Sequence, residues 1–296
     1  TPIIAWLHEV QTAGGVVDQF NQTVLLQAPP QATEADVAVV VQALLDRHAM
    51  LRCRVSVDEA GQWSLQVPEA GSVHPHVQVV DVVGDEALVA ARSALNPAAG
   101  VMVSALWAAS TRQLALIVHH LAVDAVSWRI LVEDLNIAWA QHHHGQPIVL
   151  PVTGTSFARW AAVLGEHARA AGVVEQADRW QQLLAIPSPL PSVQAECDTY
   201  ASAGHLTASL DVETTRMLLG EVPAAFHAGI QDILLIAYGL ALSQLLGSTA
   251  PLAIDVEGHG RHDELGPDLD LSRTVGWFTT KYPVALTISG LHWSQV

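Results

Sequence analysis

A mixed α+β architecture, with sheets covered by helices, is the fold class this sequence predicts. Three observations carry that expectation. Runs of strand character and runs of helical period interleave, without the strict alternation of a doubly wound parallel sheet. Hydrophobic residues make up 50% of the chain and charged residues only 14%, so a substantial core can be buried. At 296 residues the chain reaches the size at which one core stops growing, about 250–300 residues, so two lobes are expected.

The elements follow in order. Thr33 opens a helix with Asp36 three residues on, a capping-box arrangement, and Val37, Val40, Val41, Leu44, Leu45 and His48 repeat at helical spacing. Residues 47–55 lead into a strand, a turn at Gly61, and a second strand near Trp63 to Val67. Residues 75–82 alternate weakly and 84–95 have helical period. Val101 to Trp107 and Gln113 to Val118 read as consecutive strands around a turn at Ser110 and Thr111. A helix after Ser127 ends near His144 and Gly145, ahead of Pro147 and Pro151. Residues 156–185 form one long Ala-rich helical stretch, and the Pro-rich segment 186–192 is the best linker. Beyond it come a strand from His205 to Leu210, a helix from Val212 to Leu219, another helix marked by Ile233, Ile236, Ala237, Leu240 and Ala241, and a strand from Leu252 to Val256. The lobes are expected at 1–175 and 176–296.

Thirteen basic against 29 acidic residues give a net charge of −16, which disfavours a nucleic-acid partner, since phosphate neutralisation needs clustered Lys and Arg. Cys53 and Cys197 form no CxxC pair, so neither a zinc knuckle nor a disulfide framework is expected, and a reduced, cytoplasmic compartment is the simpler inference. No apolar run approaches the ~20 residues of a membrane span. The opening Thr1 reads as the start of a piece excised from a longer polypeptide.

Two stretches carry chemistry. In residues 114–135 an apolar strand empties into His119 and His120, Asp124 follows, and a helix begins near Ser127. A buried strand that delivers an imidazole to the mouth of a helix holds a general base rigidly. An isolated histidine after a strand reads more readily as a satisfied core residue; the tandem pair with aspartate and serine tips the reading of His120 toward catalysis. His119 is assigned to structure or orientation, Asp124 to architecture with Arg261 as its expected partner, and Ser127 to capping the helix, since no G-x-S-x-G elbow surrounds it. In residues 252–265 a second apolar strand runs into Glu257, then Gly258, His259, Gly260 and Arg261. A carboxylate and an imidazole, each at the end of a buried strand, are a pair able to remove and return a proton on one carbon. Residue types alone do not say which of the two takes it. His259 and His262 lie three apart with no third ligand at fixed spacing, so no metal is expected. His142, His143 and His144 suit a helix C-terminus. Trp277, Phe278 and Tyr282, in RTVGWFTTKYPVAL, are expected to line or brace a cleft.

HHLAVDAVSW (119–128) matches the HHxxxDxxS signature, and the chain here resembles the condensation and epimerization domains of non-ribosomal peptide synthetases. PIIAWL (2–7), RHAMLR (47–52), the helix with Asp232, Leu235 and Ala237, VEGHGR (256–261) and RTVGWFTTKYPVAL (273–286) are similar to further family elements in the same order, so the resemblance covers essentially the whole chain. The SW pair and EGHGR lean toward epimerization. The family implies two chloramphenicol-acetyltransferase-like lobes in a V shape. A phosphopantetheine arm from an adjacent carrier protein enters between them, and its aminoacyl or peptidyl thioester is inverted at Cα from L to D. No cofactor is bound directly on this reading, and neighbouring synthetase domains are the other partners. Matching residues makes His120 and Glu257 the catalytic pair. Three departures stand out: Ala125 replaces the usual glycine, His262 replaces the usual Glu, and the chain stops at Val296 where the family continues, which leaves the second lobe incomplete. Two rivals stay open: a condensation domain joining two carrier-bound substrates, and a catalytically silent docking module of the same fold.

Overall fold

The computed structural model describes residues 1–248 and 250–287, the side chain of Tyr200 excepted. Helices and strands mix as predicted, and the chain divides into two compact units. One comprises residues 1–170 with 258–280, the other residues 171–257 with 281–287.

The first unit opens with α1 (Pro2–Thr12), β1 (Asn21–Gln27) and α2 (Glu34–Arg47). The predicted capping box starts α2: the Thr33 hydroxyl accepts from the Asp36 N–H, and the Asp36 carboxylate accepts from the Thr33 N–H. Next come β2 (Arg54–Val57), β3 (Trp63–Gln66), β4 (Val77–Val79), α3 (Asp85–Ser93), β5 (Val103–Ala108), β6 (Gln113–His119), α4 (Ala125–His143) and α5 (Phe157–His167). β2 and β3 pair around Gly61, and the remaining strands make a mixed sheet in the order β1-β6-β5-β4. Its β1–β6 and β5–β6 pairs are antiparallel and its β4–β5 pair is parallel.

The near-continuous apolar runs of β5 and β6 follow from burial on both faces. Leu106, Ala115 and Ile117 pack with Ala91 and Leu95 under α3, whereas Ala105, Trp107, Leu114, Leu116 and Val118 join Val41, Leu44 and Leu131 in the main core. β1 lies at the sheet edge and alternates half-buried and exposed residues from Gln22 onward. Its polar opening, Asn21-Gln22-Thr23, carries no strand signal, and no element is expected at 21–27 from the sequence.

The second unit contains α6 (Ala171–Val174), α7 (Ala177–Leu184), α8 (Val212–Leu219), α9 (Glu221–Phe226), α10 (Ile230–Leu246), β7 (Leu252–Gly258) and most of β8 (Thr280–Leu286). β7 and β8 form a two-stranded sheet, with Lys281 paired to Asp255 at 3.3 Å.

Several expectations are corrected. The helical stretch foreseen over 156–185 is three helices, α5, α6 and α7, because turns interrupt it near Ala170 and Gln176. The strand foreseen at 205–210 is irregular and exposed, with Leu206 99% accessible, and pairs with no strand among the described residues. Residues 186–192 are irregular as expected but lie inside the second unit. Residues 258–280, expected with the C-terminal lobe, pack with the first unit because Leu271, Val275, Trp277 and Phe278 bury in its core. The buried His48, foreseen on the apolar face of its helix, donates to Asp134 at 2.9 Å; burial draws its pKa down while Asp134 opposes the shift. Arg273 pairs with the same carboxylate and with Glu133 at 3.0 Å. Among the described residues no single helix is long and apolar enough to cross a membrane.

Gly260 shows why glycine is needed in EGHGR. Its φ is +66°, and a Cβ there would lie 1.7 Å from the Phe278 carbonyl oxygen. Gly260→Ala is expected to lower stability by about 2–5 kcal/mol, the sum of left-handed strain and overpacking, as read from the urea unfolding midpoint. An unchanged midpoint would contradict this packing.

Candidate active site

β6 carries the histidine pair out of the core. Successive strand side chains point to opposite faces, so two adjacent histidines meet different surroundings. His119 is fully buried: its Nε2–H donates to the Val17 carbonyl at 2.9 Å and its Nδ1 accepts from the Leu121 N–H at 3.2 Å. With both ring nitrogens engaged this way the imidazole is neutral. Burial first, and the nearby His120 second, push its pKa down to about 4, against the opposing pull of the Val17 bond and Asp18. The structural role expected of His119 fits this arrangement.

His120 begins a short 3-10 turn, His120–Ala122, and is half-buried. Its backbone N–H donates to the Phe20 carbonyl at 2.8 Å, and its ring stacks on Phe20 with centroids 4.8 Å apart and planes inclined by 13°. Trp277 closes a third side, 4.5 Å from the imidazole centroid. At the ring nitrogen Nε2 stands the Gln22 amide nitrogen, at 2.9 Å. The other end of that amide, Oε1, accepts from the indole N–H of Trp128 at 2.8 Å. Gln22 does not stand out in the sequence, because a polar residue on an edge strand has no spacing signature; Trp128 is noticed there only as the second residue of the SW pair, without its partner.

Asp124 is the N-cap of α4, accepting from the Ser127 N–H at 2.7 Å. The cap expected of Ser127 therefore falls to Asp124. Ser127 instead lies inside the first turn, where its hydroxyl donates to the Gly276 carbonyl at 2.9 Å and accepts from the Gly276 N–H at 3.1 Å. The predicted partner of Asp124 is in place: Arg261 Nη2 lies 3.1 and 3.4 Å from its two carboxylate oxygens and 3.1 Å from the Ser127 hydroxyl. Arg261 Nη1 donates to the Leu271 and Thr274 carbonyls at 2.9 and 2.7 Å. The Phe278 N–H completes the Asp124 carboxylate at 3.2 Å, and the guanidinium sits 4.0 Å above the Phe278 ring. Burial draws the Arg261 pKa down and Asp124 opposes it.

The other foreseen residues are placed as follows. Phe278 is core rather than cleft lining, 3% exposed and edge-on to Phe157. Trp277 braces His120 from within the core. Tyr282 is half-buried on β8 and Glu257 is exposed near the end of β7, both in the second unit. Ala125 is the exposed first residue of α4, so its methyl meets solvent. His142, in the last turn of α4, pairs with Asp36 at 2.8 Å. The His259 and His262 rings stack 5.5 Å apart, and His262 bonds Glu264 at 2.7 Å. Among the described residues no group of three or more His, Cys, Asp or Glu side chains is arranged to hold a metal ion.

A mixed sheet whose central strand presents a histidine pair, locked to a helix N-cap and a buried arginine, defines the class. The condensation-domain family profile matches residues 10–292, and the chain belongs to that family. The chondramide synthase of Chondromyces crocatus is 34% identical over 309 residues, covering 98% of this chain and 8% of that protein. Surfactin synthase subunit 2 of Bacillus subtilis (strain 168) is 34% identical over 315 residues, covering the whole chain and 8% of the relative. The chain thus spans a small fraction of these relatives' length. Among solved structures, the epimerization domain from the third module of tyrocidine synthetase B superposes with a TM-score of 0.85 at 28% identity, covering 98% of this chain and 68% of the other.

The electrostatics of the site can be tested through stability. Arg261→Met strands the Asp124 carboxylate in the core and is expected to cost about 3–5 kcal/mol in urea unfolding. Adding Asp124→Asn is expected to recover part of that loss, whereas strictly additive losses would show that the two side chains are not coupled. For His119, the folded state holds the pKa near 4 against an ordinary value of 6.5, so the unfolded chain takes up the proton first as the pH falls. The stability held by neutral His119 is therefore complete above pH 6.5 and lost as the pH drops toward 4. Between pH 7.5 and 5.5 the native protein is expected to lose about 1.4 kcal/mol that a His119→Phe variant does not lose. Identical pH slopes for the two proteins would refute this assignment.

Proposed function

We propose that this condensation-superfamily domain is an epimerization domain, an isomerase that inverts Cα of an aminoacyl or peptidyl thioester from L to D. On this reading the substrate arrives on the phosphopantetheine arm of a carrier protein within a cytoplasmic non-ribosomal peptide synthetase, among neighbouring synthetase domains. The observation that carries the reading is the Asp124–Arg261 pair at 3.1 Å. It gives the EGHGR segment a specific anchor beside the histidine motif. In the sequence, His120 precedes Asp124 by four residues and Glu257 precedes Arg261 by four. Similarity to the epimerization domain of tyrocidine synthetase B supports the same choice.

The hydrogen α to a thioester carbonyl is a weak acid. Its removal breaks the Cα–H bond, sends the electron pair into an enolate on the thioester oxygen, and leaves the proton on the base. Reprotonation on the opposite face restores the C–H bond with inverted configuration. His120 and Glu257 are assigned these two proton transfers. A condensation domain is the rival reading; there His120 would assist attack of an acceptor amine, and the carboxylate of Glu257 would have no evident task.

Hydrogen–deuterium exchange at Cα of a carrier-loaded substrate in heavy water tests the proposal. The native protein is expected to catalyse exchange, and Glu257→Gln and His120→Ala are each expected to lower it by about a hundredfold or more. Exchange that survives in both variants would remove these residues from the mechanism. A peptide product from two loaded carriers, without exchange, would establish condensation instead.

A further inference from the structure

The indole N–H of Trp128 can only donate, which decides the orientation of the Gln22 amide between it and His120. Oxygen must face Trp128, at 2.8 Å, and nitrogen must face His120 Nε2, at 2.9 Å. The amide nitrogen has hydrogens and no lone pair to offer, so Nε2 must be the acceptor. We infer that Gln22, locked by Trp128, is a positioning residue that holds His120 as the tautomer with an unprotonated Nε2 and the hydrogen on Nδ1.

Several features make this arrangement stiff. Gln22 lies on β1 in register with Val118 of β6, and its neighbour Asn21 pairs with His119, so the amide and the imidazole ride on adjacent strands. Trp128 is 9% exposed on the first turns of α4, whose start is set by the Asp124 cap. Stacking on Phe20 and contact with Trp277 restrain rotation of the imidazole itself. Turning the amide over would place its hydrogens against the Trp128 N–H, an unsatisfied buried donor pair. Protonation at Nε2 would place an N–H against the amide hydrogens in the same way.

The inference builds on the epimerization reading, in which His120 moves a proton at Cα, and specifies the state in which it waits. A lone pair at Nε2 belongs to a group prepared to take a proton. Once it has done so, the imidazolium is disfavoured beside Gln22 and must pass the proton on before the resting arrangement returns.

The experiment is a two-bond proton–nitrogen correlation spectrum of the chain labelled with 15N-histidine, with His120 identified by the signal lost in His120→Asn. In the native protein, above the pH at which the imidazole protonates, His120 is expected to show a pyridine-type Nε2 and a pyrrole-type Nδ1. Gln22→Glu supplies a carboxylate that accepts from both neighbours, and should convert Nε2 to the proton-bearing type. Trp128→Phe releases the amide and should give a mixture of the two tautomers. A native spectrum with the hydrogen on Nε2, or a Gln22→Glu spectrum indistinguishable from the native one, would overturn the inference. Cα exchange should fall on the order of tenfold or more in Gln22→Glu. Absence of exchange in every protein, with the nitrogen signals behaving as described, would sink the epimerization reading and leave the placement of the proton supported.

Discussion

A single buried carboxylate, Asp124, organises the first unit around the histidine pair. It caps α4, receives the Phe278 N–H and pairs with Arg261. Each bond ties a different stretch of chain to one point. Such an ion pair adds little net stability over a well-packed apolar substitute, because removing both charges from water is costly. Its value is positional, since an unpaired charge in that place is strongly disfavoured and alternative placements of residues 258–280 leave Asp124 alone. Ser127 accepts from Nη2 of the guanidinium, and the Leu271 and Thr274 carbonyls accept from Nη1.

The two histidines show how strand geometry divides labour between identical side chains. His119 turns inward, spends both nitrogens on backbone groups and is kept neutral by burial. His120 turns the other way, remains half-buried, and meets a side-chain amide that a carboxylate or a substrate group could replace. A one-residue slip of β6 against β1 would exchange these environments, which is why the fully apolar, two-faced burial of β5 and β6 matters for chemistry as well as stability. Register is set by the core, and the core therefore selects which imidazole is available.

Much of this is legible in sequence because it is local. The Thr33–Asp36 box, the apolar runs of β5 and β6 and the abrupt change of period after His120 each depend on residues within a few positions of one another. The Asp124–Arg261 partnership, separated by 137 residues, is also foreseeable, because a carboxylate beside a helix start calls for a cationic partner. Expectations fail where structure depends on partners. Residues 205–210 have strand-like composition and no strand partner among the described residues, whereas 21–27 have a polar opening and pair along their full length with β6. Ser127 has the chemistry of a cap, yet Asp124, three residues earlier, occupies the cap position and leaves the serine to the loop at Gly276.

By itself the sequence determined the residue types and local periods: a mixed fold, a histidine pair at a strand end, and a glycine-flanked segment bearing a carboxylate and an arginine. These follow from short-range sterics and from the separation of apolar and polar side chains. Only the tertiary structure decided that residues 258–280 pack with the first unit, that Phe278 supports a guanidinium, and that Gln22 and Trp128 stand between β1, His120 and α4. Those outcomes depend on apolar burial, ring contacts and long-range hydrogen bonds, whose geometry exists only after the sheet has chosen its register.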